Sequence, residues 1–70
     1  MPLTMLRSDD EGVIVRISGT PEIKRRLCDM GLAEGSKIRV LSRVYGNLIV
    51  EVKNTRFALD RKLANSIKVA

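Results

Sequence analysis

Histidine and tryptophan are absent from this chain, and its 70 residues include one cysteine, one tyrosine and one phenylalanine. Without histidine, the commonest general base at neutral pH is missing, and Cys28 has no candidate base near it in the sequence. We therefore expect no catalytic residues and no enzymatic activity. A single cysteine cannot form a disulfide within one chain, which is typical of a reducing, cytoplasmic setting.

Long apolar runs are also missing. None approaches the ~20 residues that a membrane span requires, and the first residues lack the basic and then apolar pattern of a signal peptide. We therefore expect a cytoplasmic protein that reaches a membrane only through a partner.

The scarcity of aromatic side chains excludes two binding modes. Proline-rich peptides dock in aromatic-lined grooves, and single-stranded nucleic acids stack on exposed rings; Tyr45 and Phe57 are too few for either. We expect no specific nucleic-acid partner. Non-specific contact with phosphates stays open through a strip of basic side chains, namely Lys37, Arg39, Arg43, Lys53 and Arg56.

The net charge of +5 is unevenly distributed along the chain. Residues 1–35 carry five basic and six acidic side chains, whereas residues 36–70 carry eight basic and two acidic ones. The second half therefore favours acidic partners, although a solvated basic face would look the same in the sequence.

A short helix from Pro21 to about Met30 is the clearest local element. Thr20 can accept a hydrogen bond as its N-cap, and Pro21 suits the first helical position. Its apolar residues recur at helical spacing, namely Ile23, Leu27 and Met30. Gly31 is expected to end the helix in a left-handed conformation, which allows Leu32 to fold back onto Leu27.

Alternating short segments predict five strands around this helix. They are residues 13–17, 36–43, 48–53, 56–59 and 67–69, with one short helical turn capped by Asp60 before the last strand. Short strands at such regular spacing predict a single mainly-β domain over residues 1–70. Its expected form is a small closed or nearly closed barrel with one short helix inserted after the first strand.

The parity of the central hairpin constrains its turn. A two-residue loop at Gly46-Asn47 would place Val40 opposite Lys53, on the same face as a charge. A three-residue loop from Tyr45 to Asn47 would instead pair Val44 with Leu48 and Val40 with Val52. We therefore expect that longer turn, or a bulge that achieves the same correction.

Two groups of residues are candidates for binding a metal, namely Asp9, Asp10 and Glu11 in one turn, and Cys28, Asp29 and Met30 on the helix. A selective iron or zinc site would be expected to recruit imidazole or several thiolates. We therefore expect no metal-ligating residues and no cofactor. Cys28 follows the apolar stripe of the helix, so we expect it to pack rather than react.

The order of these elements resembles the ferrous iron transport protein A (FeoA) family. Its pattern of a glycine and an aliphatic strand corresponds to residues 12–17, and its Arg-Leu-x-x-Met-Gly-Leu helix to residues 26–32. A Gly-Ser turn with a strand follows at 35–40, then a hairpin strand at 48–52, Leu59, and a closing Ala-x-x-Ile-x-Val at 64–69. Nearly the whole chain is covered.

This resemblance implies an SH3-like barrel that acts as a cytoplasmic adaptor on the cytosolic part of the ferrous iron transporter FeoB, a membrane GTPase. The alternative is a small transition-metal-responsive or nucleic-acid-associated module, because similar domains occur in metal-dependent repressors. The expected partner-binding residues lie on the exposed side of the helix, on its cap and at the hairpin tip: Lys24, Arg25, Asp29, Leu32, Ala33 and Tyr45. Plain solvent exposure and helix capping explain the same residues equally well.

Overall fold

The computed structural model describes residues 1–70 and contains five antiparallel strands and two α-helices. A 3-10 helix at Leu3–Met5 precedes them. The elements are β1 (Glu11–Ile17), α1 (Pro21–Asp29), β2 (Lys37–Val44), β3 (Asn47–Val52), β4 (Thr55–Leu59), α2 (Arg61–Asn65) and β5 (Ile67–Val69). The predicted mainly-β architecture, with a helix inserted after the first strand, is confirmed. Neither helix has the length and apolar composition that a bilayer span needs.

The strands form one sheet in the order β4-β3-β2-β1-β5. The first part of β1 pairs with β2, and from Ile14 onward β1 pairs with β5. A bulge at Val15, between the pairs of Ile14 and Arg16, accompanies this exchange of partners. A bulge bends its strand and increases the local twist, so the sheet can curl around a common interior.

The core is aliphatic throughout, as the composition requires. Its 15 members come from every strand, both α-helices, the N-terminal arm and the loop after α1: Leu3, Leu6, Ile14, Leu27, Leu32, Ile38, Val40, Leu48, Val50, Val52, Leu59, Leu63, Ala64, Ile67 and Val69. The alternation of residues 56–59 predicts that Phe57 and Leu59 both enter the core, but Phe57 is only partly buried. It lies in β4, which has a neighbouring strand on one side only.

The turn of the β2–β3 hairpin is shorter than expected. It contains only Tyr45 and Gly46, whose φ angles of 51° and 83° are both left-handed, and Val44 pairs with Asn47 rather than with Leu48. Two successive left-handed residues twist the chain in the sense that the flanking strands need. The three-residue loop that we predicted is therefore wrong.

The predicted alternative, a bulge, is what restores the parity of the hairpin. The register shifts between Val40 and Ser42, which leaves Leu41 unpaired. Val40 consequently faces Val50 rather than Val52, and both paired valines are fully buried. The correction occurs inside β2 instead of at the turn.

The N-terminal arm is tied to the barrel at two places. Pro2 forms an isolated bridge with Lys68 of β5, and the amide of Val69 donates to the carbonyl of Met1 at 2.7 Å. The buried side chains of Leu3 and Leu6 then close one side of the core. The packing of these two leucines therefore holds the arm against the barrel.

Candidate functional site

Helix α1 begins where the sequence predicts. The amide of Ile23 donates to Oγ1 of Thr20 at 3.2 Å, and Pro21 occupies the first turn, where an amide hydrogen would have no helical partner. Glu22 lies in the same turn, at the positive end of the helix dipole. The capped start fixes the position of the exposed side chains that follow.

The C-terminal end of α1 is a complete Schellman motif. The amide of Gly31 donates to the carbonyl of Cys28, and the amide of Leu32 donates to the carbonyl of Leu27, each at 2.9 Å. Gly31 has a φ of 86°, as the motif requires. The helix therefore ends sharply and turns the chain toward the next strand.

Leu32 is a correction to the predicted contact surface. Its side chain is fully buried in the core, whereas we expected it on the exposed cap. The reason is the cap itself, because the residue after a left-handed Gly commonly packs back against the last turn of the helix. The sequence contained this signal, since Leu32 follows Gly31 directly. Leu32 is therefore part of the core beneath the cap, and its side chain is not accessible to a partner.

The other predicted helix residues are all exposed. Lys24, Arg25 and Asp29 lie on the solvent side of α1, and Ala33 follows the cap. They form one surface of mixed charge, which we call the helix face. Such a surface can offer ion pairs and a small side chain at its edge, and it contains no arrangement of groups for covalent chemistry.

Tyr45 occupies a second position, at the tip of the β2–β3 hairpin. Its side chain is as exposed as in an unfolded peptide, at 101%, and the neighbouring Val44 is 45% exposed. A side chain built on Gly46 would lie 3.6 Å from Nη2 of Arg61, so the tip adjoins α2. The tip therefore presents apolar groups beside a cation.

Helix α2 also borders a cleft of about 200 Å³ that it shares with the start of α1. Its lining is Thr20, Glu22, Ile23, Arg26, Asp60, Lys62 and Leu63. The carboxylate of Asp60 is already used, because it accepts a hydrogen bond from the amide of Leu63 at 2.8 Å. Two acids and two cations line the cleft together, so it does not select for one sign of ligand charge.

Cys28 corrects a second expectation. We expected its thiol to pack, but the residue is exposed. The fully buried position of the helix is Leu27, while Ile23 and Met30 are partly buried. Cys28 lies one residue beyond Leu27, and this step of about 100° carries it off the buried stripe.

The acidic turn behaves as a hydrogen-bonded turn. Oδ2 of Asp10 accepts from the amide of Arg7 at 2.9 Å, and Asp9 adopts a left-handed φ of 72°. Nowhere in the chain do three side chains of histidine, cysteine, aspartate or glutamate come together as a metal site would require.

The basic strip that we considered for phosphate binding does not form. In the strand register, Arg39 lies opposite Glu11 on β1 and opposite Glu51 on β3. Glu51 in turn lies opposite Arg56 on β4. Paired residues share one face of a sheet, so acids and bases alternate across four strands. Nε of Arg56 lies 3.6 Å from a carboxylate oxygen of Glu51.

Arg43 is withdrawn from that strip by a different contact. Its Nη2 donates to the carbonyl of Thr4 at 2.8 Å and also to the carbonyl of Leu6. The bulge in β2 is responsible, because it pairs Arg43 with the core residue Leu48. Arg43 thus anchors the N-terminal arm. Of the five basic side chains in the strip, only Lys37 and Lys53 have neither an acidic residue opposite them in the sheet nor a hydrogen bond to the arm.

Comparison with known proteins agrees with this geometry. The chain is 31% identical over 68 residues to a protein of Methanocaldococcus jannaschii assigned the name Fe(2+) transport protein A, a match that covers 97% of this chain and 83% of that protein. A crystal structure of an iron uptake regulatory protein, FeoA, superposes with a TM-score of 0.91 at 34% identity and covers 100% of this chain and 93% of the other.

Two further structures define the fold type. FeoA of Stenotrophomonas maltophilia, solved with zinc and described as a procaryotic SH3 domain protein, gives a TM-score of 0.86 at 28% identity, over 100% of this chain and 89% of that one. A manganese-dependent transcriptional repressor gives 0.92 at 29% identity, over 99% of this chain but only 40% of its own length. The predicted SH3-like fold is thereby confirmed.

The FeoA domain model matches residues 1–70. A match over the whole chain, together with a relative above 30% identity and the shared barrel, confirms the resemblance seen in the motifs. The chain belongs to the FeoA domain family.

Proposed function

We propose that this protein is a cytoplasmic accessory protein of ferrous iron uptake that acts on the cytosolic part of the membrane GTPase transporter FeoB. The observation that carries the proposal is the match of the FeoA model over residues 1–70. Family membership supports a role in ferrous iron transport, and the step to FeoB is our own.

Two groups of exposed residues support this proposal as its candidate contacts. The helix face comprises Lys24, Arg25, Asp29 and Ala33, and it is held by caps at both ends of α1. The second group is the hairpin tip with Tyr45, an aromatic side chain of the kind enriched at interfaces. A docking protein needs such fixed, exposed groups and no catalytic machinery.

A titration of the protein against the cytosolic domain of the cognate FeoB tests the proposal. We expect saturable binding that Tyr45→Glu weakens mainly by faster dissociation, because a packed anchor controls the off-rate. Tyr45→Phe is the matched control, since it keeps the ring and its area. Absence of saturable binding at any salt concentration contradicts the proposal.

Long-range attraction by the positive charges of residues 36–70 can be distinguished experimentally from direct contact at the helix face. If charge acts only by steering, reversal of Lys37 and Arg39 to glutamate slows association, and added salt has the same effect. Reversal of Arg25, a proposed contact, instead changes the off-rate. Loss of binding with the first pair at all salt concentrations would move the interface to the hairpin.

A metal-responsive module is the second candidate, favoured by the likeness to a manganese-dependent repressor at a TM-score of 0.92. A calorimetric titration with Fe(II) or Mn(II) under reducing conditions separates it from the adaptor. Sub-micromolar, one-to-one binding that Cys28→Ser abolishes would support the second candidate. Weak, non-specific metal binding would not depend on the thiolate of one particular residue.

A further inference from the structure

The outer edge of β4 has no neighbouring strand. β4 pairs with β3 through Thr55 to Leu59 and ends the sheet on that side. The β3–β4 turn consists of Lys53 and Asn54, with left-handed φ angles of 50° and 66°. In such a two-residue hairpin the residues that flank the turn exchange both backbone hydrogen bonds, and bonded pairs then alternate along the ladder.

This alternation determines which backbone groups of β4 point outward. Thr55, Phe57 and Leu59 bond to β3, whereas the amides and carbonyls of Arg56 and Ala58 point away from it. No hydrogen bond outside the regular elements, from backbone or side chain, involves any of these residues. The edge therefore offers two free donors and two free acceptors in one row.

The same edge is accessible from both of its faces. Arg56 and Ala58 are exposed, and the small side chain of Ala58 leaves room for another backbone to approach. On the inner face, Phe57 is only partly buried, so part of its ring remains uncovered at the margin of the core. An added strand would satisfy the free amides and cover that ring at the same time.

The edge also lacks the usual protection against strand pairing. Natural edge strands carry proline, a bulge or inward-pointing charge, whereas β4 has an unbroken register of five pairs and no proline. Its single cation, Arg56, is on the outer face and lies within 3.6 Å of Glu51. Pairing at this edge is therefore opposed mainly by the charge of Arg56, which an acidic strand would offset.

Charge around the edge selects the kind of strand it can accept. Lys53 and Arg56 lie at one end, and Arg61 and Lys62 follow the other end. Two acids lie nearby, Glu51 beside Arg56 and Asp60 as the cap of α2, and the four cations outnumber them. A second copy of this chain would bring an equal cluster of cations against the first, which disfavours self-pairing. An acidic segment is attracted.

We propose that the free edge of β4 binds an extended acidic segment of a partner protein as an added strand. The residue of that segment opposite Phe57 is apolar and covers the ring. Its neighbours, opposite Arg56 and Ala58, point to the outer face and are acidic. This inference rests on the proposed adaptor function, in which the segment belongs to the cytosolic part of the transporter.

The first experiment uses amide hydrogen exchange, followed by NMR on the unmodified protein. The probe is a blocked seven-residue peptide of alternating glutamate and valine, and the control peptide has lysine in place of glutamate. We expect the acidic peptide to slow exchange at Arg56 and Ala58, while Phe57, already bonded to β3, changes little. Protection elsewhere only, or equal protection by the lysine peptide, would overturn the proposal.

The second experiment removes one free donor without changing the ladder. Ala58→Pro deletes an outward-pointing amide, a position where edge strands tolerate proline, and Ala58→Ser is the matched control that keeps it. We expect the proline variant to bind the acidic peptide about tenfold or more weakly and the serine variant to bind like the original. Equal affinity of two folded variants contradicts the proposal. If the proline variant fails to fold, the exchange experiment decides alone.

Repeating both measurements with the cytosolic domain of the transporter separates this inference from the proposed function. Binding of that domain with no protection of Arg56 and Ala58 overturns the strand addition and leaves the adaptor role standing. Protection by the peptide without binding of the domain contradicts the adaptor role alone. Protection by anionic vesicles or single-stranded nucleic acid, and not by the peptide, overturns the choice of a protein strand.

Discussion

Gly31 allows the cost of a left-handed residue to be measured without a steric contribution. Its φ is 86°, and a Cβ built on it would have no heavy atom within 4 Å. Any loss of stability in Gly31→Ala therefore comes from the backbone. A left-handed conformation costs an L-residue about 1–2 kcal/mol, and alanine regains about 0.4–1 kcal/mol by restricting the unfolded chain. The expected net loss is about 1 kcal/mol.

Two related substitutions extend this prediction. Gly31→Val is expected to lose more than ~1 kcal/mol, because a β-branched residue is strongly disfavoured at positive φ. Replacing Gly31 by D-alanine, accessible by chemical synthesis in a chain of this length, is expected to stabilise the protein by up to about 1 kcal/mol, because a D-residue prefers positive φ. The sign of the effect therefore changes with chirality alone.

Chemical denaturation followed by circular dichroism measures these differences. A loss of 1 kcal/mol in a domain of this size lowers Tm by roughly 4–8 °C. Gly12→Ala is the control in which the cost is steric. The φ of Gly12 is not positive, but a Cβ there would lie 3.1 Å from Cβ of Val69. Its loss is expected to be partly relieved in a Val69→Gly background, which removes that Cβ. A Gly31→Ala variant as stable as the original, or a destabilising D-alanine, would refute the reasoning.

Four further outcomes are expected. Leu32→Ala should cost about 2–5 kcal/mol in chemical denaturation, because it empties a fully buried position; a loss below about 1 kcal/mol would mean that the residue is exposed. The thiol of Cys28 should react with a disulfide reagent about as fast in the native protein as in urea; a much slower native reaction contradicts its exposure. Glu51→Lys should destabilise by up to about 1 kcal/mol, less at high salt, because it leaves a row of cations; salt-independent loss would exclude the charge explanation. Arg43→Met should accelerate amide exchange of Leu6 before global unfolding, since the guanidinium contact to the N-terminal arm is lost; unchanged local exchange would show that the contact does not hold the arm.

Local signals in the sequence were sufficient where a few adjacent residues determine the conformation. Thr20 and Pro21 predicted the start of α1, and Gly31 with Leu32 predicted its end, because capping is decided by hydrogen bonds within one turn. Asp60 predicted the start of α2 for the same reason. The order of strands and helix was also sufficient to identify the family.

The sequence-based predictions were wrong where the environment of a residue depends on which other elements pack against it. Cys28 is exposed because the buried stripe of α1 is narrow, a width that is set by the neighbouring elements. The role of Arg43 depends on a bulge at Leu41, which shifts the register so that its guanidinium reaches the N-terminal arm. The parity of the hairpin predicted a bulge but not that it lies at Leu41, and the spacing of the apolar stripe did not show how far burial extends around α1.

The sequence by itself determined the caps of both helices, the alternation of the strands, the aliphatic core and the membership of the FeoA family, since each depends on residue types at fixed short spacings. Only the tertiary structure decided that acids and bases alternate across the sheet through Glu51, and that β4 ends the sheet with the backbone amides and carbonyls of Arg56 and Ala58 pointing away from β3. The closure of the whole barrel determines which strands are neighbours. The residues of a single strand do not show on which side it lacks a neighbouring strand.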